Sequence, residues 1–196
     1  MKTAPIALVT GATSGIGEAT AYRLRNRGYV VFAAGRNPDA LDTLRSQGLR
    51  ARALDVTDEA AVARLVEEIH ADYGGVDVLV NSAGFPLPCP LEQLASSDLR
   101  CLFETNVVAT LHLSQLILAG MRDRGAGRII TIGSTGGRFT SPGAGGYHIA
   151  RGGSFLDAPM WLRAAARGDA PEGAMFFPRP ATIGFRCAAD APPEHP

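Results

Sequence analysis

Five short apolar runs, separated by turns and by segments of helical spacing, leave this chain few folds to choose from. They are IALVT at 6–10, YVVFAA at 29–34, VDVLV at 76–80 and RIITI at 128–132, with a weaker LRARAL at 49–54. Near-continuous runs of Val, Ile, Leu and Ala are what strands buried on both faces require. Helical spacing is clearest at Val62, Leu65, Val66 and Ile69, and again through Leu99, Phe103, Val107, Thr110, Leu111, Ser114 and Ile117. A parallel strand pair needs a crossover long enough to hold a helix, so strand and helix in alternation predict the α/β class with a doubly wound parallel sheet.

The 196 residues, 46% of them apolar, suffice for one sizeable core. Nineteen basic side chains balance nineteen acidic ones, so there is no long-range field to attract nucleic acid or an anionic membrane, and small-molecule chemistry becomes the expectation. Cys89, Cys101 and Cys187 are scattered without C-x-x-C spacing or a histidine cluster, which argues against a disulfide framework or a metal site and fits a reducing cytoplasm. The opening MKTAPIALVTGATSG is too short in apolar residues for a signal peptide or a membrane span.

The texture changes near residue 150. No valine occurs from Arg151 to Pro196, against eleven before it, and seven of the thirteen prolines fall there. Residues 1–150 are therefore read as the folded domain and 151–196 as an atypical, poorly structured tail rich in Ala, Gly, Pro and Arg.

The first apolar run passes into TGATSGIG, from Thr10 through Gly11, Thr13, Ser14, Gly15 and Ile16 to Gly17. Glycines let the backbone turn tightly and approach a pyrophosphate, and the helix that follows offers free N–H groups at its positive end. The spacing differs from G-x-G-x-x-G, and glycine turns after strands are common for purely structural reasons. Arg36, at the end of the second run, suits the 2′-phosphate of NADP where an acidic residue would read the free hydroxyl of NAD; the alternative is a solvated surface arginine. Asp55 and Val56 follow the third run, and Asn81, Ser82, Ala83 and Gly84 the fourth. Each could be a plain turn or cap residue, yet all sit where ligands bind in open α/β sheets, outside the carboxyl ends of the strands. Asn106 lies within a helix on an apolar stripe, where an amide must find partners; a satisfied structural asparagine explains it equally well. Ser134 ends the fifth run, and Tyr147 follows with Arg151 one helical turn later, a placement that sets a cation beside a tyrosine whose ordinary pKa is about 10. Such a tyrosine could protonate a new alkoxide when a carbonyl is reduced.

Taken together, T-G-x-x-x-G-x-G at 10–17, N-S-A-G at 81–84, Asn106, Ser134 and Tyr147 resemble the short-chain dehydrogenase/reductase family over residues 5–149. The resemblance implies a Rossmann-type domain with strand order 3-2-1-4-5-6-7 and hydride transfer between a nicotinamide cofactor, NADP in preference to NAD, and a carbonyl or secondary alcohol. It implies Tyr147 as acid or base, Ser134 orienting the substrate oxygen, and Asn106 holding a helix kink and proton relay. The glycine turn would carry the cofactor phosphates, Asp55 and Val56 would flank the adenine, and Asn81 to Gly84 would support the ribose. Homo-oligomers are common in the family.

The departures matter as much. The family pattern Y-x-x-x-K reads YHIAR here, so Arg151 stands in the lysine position, and Lys2 is the only lysine in the chain. Arginine supplies charge, but it cannot give up a proton and its planar head is broader than an ammonium. Gly152 and Gly153 interrupt the helix, and the family's last strands have no clear counterpart. Beside the oxidoreductase reading these features support two others, a catalytically impaired nucleotide-binding module and the product of a frameshift or truncation near residues 148–151. Without a sixth strand the fifth becomes an exposed edge.

Overall fold

The computed structural model describes residues 4–87 and 89–134. These fall into two units, one of residues 4–85 and 101–132, the other of residues 86–100 with Gly133 and Ser134.

The larger unit is a parallel sheet of five strands, β1 (Ile6–Thr10), β2 (Val30–Gly35), β3 (Arg50–Ala53), β4 (Val78–Asn81) and β5 (Arg128–Thr131). Their order is β3-β2-β1-β4-β5, the first five places of the Rossmann-type order. Leu8 in β1 stands beside Phe32 in β2 and Leu79 in β4, so the most apolar strands occupy the middle. Side chains alternate across a strand, and both faces of this sheet are covered. Ile6, Leu8, Phe32 and Leu79 pack with Val62, Leu65 and Ile69 of α3 (Glu59–Tyr73) and Leu113, Ile117 and Met121 of α5 (Ala109–Asp123). Ala7, Val9, Val31, Ala33 and Val80 pack with Ala21 of α1 (Gly15–Arg25) and Leu41 and Leu44 of α2 (Pro38–Ser46). The unbroken apolar runs of β1, β2 and β4 are thus explained: almost every side chain in them is buried, on whichever face it lies.

Helix boundaries follow the chain's local chemistry. Asn37 caps α2 by accepting a bond from Ala40 N at 3.1 Å, with Pro38 at the first helical position, and Asp58 caps α3 through Ala61 N at 2.9 Å. Gly74 closes α3 in the left-handed conformation at φ 78°. Arg124 then ties the end of α5 to this turn, donating to Gly74 O at 3.0 Å and Val76 O at 2.8 Å.

The stripe expected along 99–117 is corrected in part. Thr110 and Ile117 are buried, together with Leu102, Ala109 and Leu113, but Phe103, Val107 and Leu111 are 36%, 42% and 49% exposed. Apolar side chains cover more than one stripe of this segment, and a π-helical stretch, Glu104–Val108, breaks the 3.6-residue phase between α4 (Ser96–Phe103) and α5. Spacing alone therefore could not say which stripe meets the sheet. The continuous segment Ser96–Asp123 is long and apolar enough to cross a membrane by length and composition; Leu113, Ile117 and Met121 spend part of that apolar character in the core of the sheet.

In the smaller unit a single 3-10 turn, Leu91–Gln93, is closed by Gln93 N donating to Pro90 O at 3.0 Å, and Ala95 O accepts the first bonds of α4. The strands expected beyond β5, and the tail at 151–196, lie outside the described residues.

Candidate functional site

At the carboxyl ends of β1 to β4 the sheet opens into a cleft of about 430 Å³. Its floor is the turn from β1 to α1. Gly11, at φ 63°, lies so close to the end of β4 that a Cβ there would sit 2.7 Å from Ala83 N and Ser82 O. A Cβ on Gly17 would run into Gly11 O, so the first turn of α1 can fold back onto the glycine turn only without a side chain at Gly17. Gly15 differs: its φ is 55°, yet nothing lies within 4 Å of where a Cβ would point. Two glycines are demanded by packing and the third by backbone conformation at an open surface.

Ser14 stands at the N-cap of α1 in extended conformation, and its side chain makes no capping bond. α2 and α3 are capped by their own Asn37 and Asp58. At α1 the first-turn N–H groups, which no helical carbonyl can satisfy, are left to the cleft that Gly15 and Ile16 line.

The wall beside β4 is built from a distance. Thr10 Oγ1 accepts from Ser82 N and Ala83 N, both at 3.2 Å, locking the β4 exit against the β1 exit. Asn81 Nδ2 donates to Ser114 Oγ at 3.1 Å, and Ser114 Oγ to Thr110 O at 2.7 Å, so β4 is pinned to α5. Asn106 sits in the π-helical stretch and holds Phe85 by both backbone groups, its Nδ2 donating to Phe85 O at 3.0 Å and its Oδ1 accepting from Phe85 N at 3.1 Å. A Cβ on Gly84 would approach Asn106 Oδ1 to 3.1 Å.

The opposite wall carries the charge. Arg36 Nη1 stands 3.5 Å from Asp55 Oδ2, the two side chains 72% and 44% exposed. Asp55 Oδ1 is held by Thr57, which donates from its backbone N at 3.0 Å and its Oγ1 at 2.8 Å. Those bonds first, and then the charge of Arg36, keep the Asp55 carboxyl below its ordinary pKa, so it is an anion at neutral pH.

Of the residues singled out in the sequence, Gly11, Thr13, Ser14, Gly15, Ile16, Arg36, Asp55, Val56, Ala83 and Gly84 line this one cleft. Thr10 and Asn81 are 2% and 3% exposed, and Gly17 is buried; they lie beneath the lining and shape it. Asn106 acts on the lining through Phe85. Ser134 follows β5 by three residues, and Tyr147 and Arg151 lie outside the described residues. Sequence reasoning passed over Gly35, Asn37, Leu54, Phe85, Thr105 and Ile132, which also line the cleft. Leu54 and Phe85 adjoin residues already singled out, a signal that was there to be used. Thr105 adjoins Asn106 in the same way, within the π-helical stretch.

A family model described as short chain dehydrogenase matches residues 5–154. Gluconate 5-dehydrogenase of Gluconobacter oxydans (strain 621H) is 38% identical over 152 residues, covering 74% of this chain and 59% of the relative. The NADP-dependent 3-hydroxy acid dehydrogenase YdfG of Escherichia coli (strain K12) is 36% identical over 145 residues, covering 72% and 58%. Among solved structures, an actinorhodin polyketide ketoreductase with NADPH superposes with a TM-score of 0.70 at 38% identity, covering 77% of this chain and 62% of that one. The chain thus spans about three-fifths of the length of these relatives.

Proposed function

The chain belongs to the short chain dehydrogenase family, and from that premise we propose that it is an NADP-dependent oxidoreductase acting on a small carbonyl compound or secondary alcohol. The observation that carries the reading is the pairing, in one cleft, of an α1 N-terminus without a side-chain cap and an arginine at the end of β2. The first suits a pyrophosphate and the second a 2′-phosphate. Two similar proteins, YdfG and the ketoreductase, carry NADP or NADPH in their names, which supports the same cofactor here.

The cleft fits such a group: Gly15 leaves open space where a side chain would stand, and two neighbouring glycines draw the backbone close. Gly11, Gly15 and Ile16 with the Thr13 and Ser14 hydroxyls would hold the diphosphate, Arg36 the 2′-phosphate, Asp55 and Val56 the adenine, and Ala83 and Gly84 the ribose. Thr10, Gly17 and Asn81 support them from below. The nicotinamide, when bound, supplies or accepts the hydride. Tyr147 then gives or takes the proton at the substrate oxygen while Ser134 donates a hydrogen bond to that oxygen. Arg151 supplies the cation that favours the tyrosinate, and Asn106 keeps the π-helical turn and Phe85 in place. The reading extends to a cytoplasmic protein.

A second reading rests on Arg151 in the lysine position: a nucleotide-binding module without turnover. Two measurements separate them. Quenching and blue shift of NADPH fluorescence on titration, with weaker binding of NADH, is expected under both; reduction of a ketone panel is expected under the first alone. Under the second, Arg151→Lys raises turnover from background while leaving NADPH affinity within a few fold.

A further inference from the structure

Arg36 already has an anion. Its Nη1 faces Asp55 Oδ2 at 3.5 Å along one wall of the cleft, and the carboxylate is held back from following the arginine because its other oxygen accepts twice from Thr57. The guanidinium is the mobile partner: it sits on a long side chain that is 72% exposed. We propose that Asp55 is a specificity-determining residue, an internal surrogate for the 2′-phosphate that holds Arg36 over the cleft and must be displaced when NADP(H) binds. This rests on the cofactor reading above.

The consequence is selective. A cofactor with a 2′-phosphate must take Arg36 from Asp55 and also lay its own charge close to a carboxylate that stays ionised. One with a free 2′-hydroxyl leaves the ion pair intact. Asp55 thereby lowers the preference for NADP(H) below what Arg36 alone would give. Thr57 is what makes it effective, since a carboxylate free to swing out with Arg36 would not compete for a fixed site.

Asp55→Asn tests this, because asparagine keeps the oxygen that Thr57 bonds while replacing the oxygen that faces Arg36 with an uncharged NH2 that cannot accept from it. Partly exposed pairs of this kind are worth little, so the expected gain is about two- to fivefold in the ratio of NADPH to NADH affinity, any contact of Asp55 with the adenine being common to both cofactors and cancelling in that ratio. The same substitution in an Arg36→Ala background is expected to change the ratio by less, because the part that runs through Arg36 is gone. An unchanged or lowered ratio, or an undiminished gain in it without Arg36, overturns the proposal. A wild-type chain that binds NADPH while Asp55→Asn gives one of those results condemns this inference alone; a correctly folded wild-type chain that binds neither cofactor condemns the cofactor reading and this one with it.

Discussion

Gly11, Gly15 and Gly17 look alike in the sequence and are not alike in the structure. Gly17→Ala drives a methyl into Gly11 O, so it is expected to lower the melting temperature as well as cofactor affinity. Gly15→Ala meets nothing, and its cost is the left-handed backbone, about 1–2 kcal/mol. Its melting curve should move by only a few degrees while NADPH binding drops at least tenfold, because the strain falls on the turn that would hold the diphosphate. Asn106 offers a different test. Asn106→Ala strips two bonds from the backbone of Phe85 and is expected to cost about 1–3 kcal/mol in urea unfolding. These glycines were legible in the sequence because a tight turn announces itself locally. The bond from Asn106 to Phe85 spans 21 positions and was not legible, although the need of a helical amide for a partner was.

Strand β3 is an edge, and its sequence RARA defends it. Ala51 faces the core, while Arg50 and Arg52 lay their guanidinium groups 5.9 and 5.5 Å from the centroid of the Phe32 ring, Arg50 also reaching Tyr73 at 5.0 Å. Charged side chains on an edge discourage pairing with another chain, and here their stems also cover a core aromatic ring. Arg52 bonds Glu68 of α3 and thereby holds that carboxyl below its ordinary pKa. A depressed folded value means that the pair's contribution is complete above the unfolded glutamate pKa and fades as pH falls through the folded one. Wild type and Glu68→Gln should therefore differ in stability at pH 7 by no more than about 1 kcal/mol, since both partners are partly exposed. That gap is expected to shrink as pH falls below the ordinary glutamate range, read in parallel urea titrations. Alternation of Arg with Ala was visible in the sequence as the weakest of the five runs. What it meant depended on which strands stood next to it.

Taken as a molecule, the chain is expected to couple its fold to the proposed cofactor. NADPH at about a hundred times its dissociation constant should stabilise the fold by about 2.7 kcal/mol, read as a rise in melting temperature that NADH at equal concentration does not match. A coding-level prediction accompanies it: the family match ends at residue 154, close to where the Pro-rich last quarter of the sequence begins. If a frameshift lies near residues 148–151, translating the other two frames beyond Tyr147 recovers a lysine-bearing helix and a further apolar strand; if neither frame does, that origin is excluded. The β-α alternation and the glycine turn could both be read from the chain alone, because each depends on residues close to one another in sequence. The tertiary structure decided the rest. Thr10 closes on Ser82 and Ala83 across 72 and 73 positions, and Arg36 meets Asp55 because β2 and β3 end side by side. Such contacts follow from the order of strands in the sheet, a property of the packed core that no single segment carries.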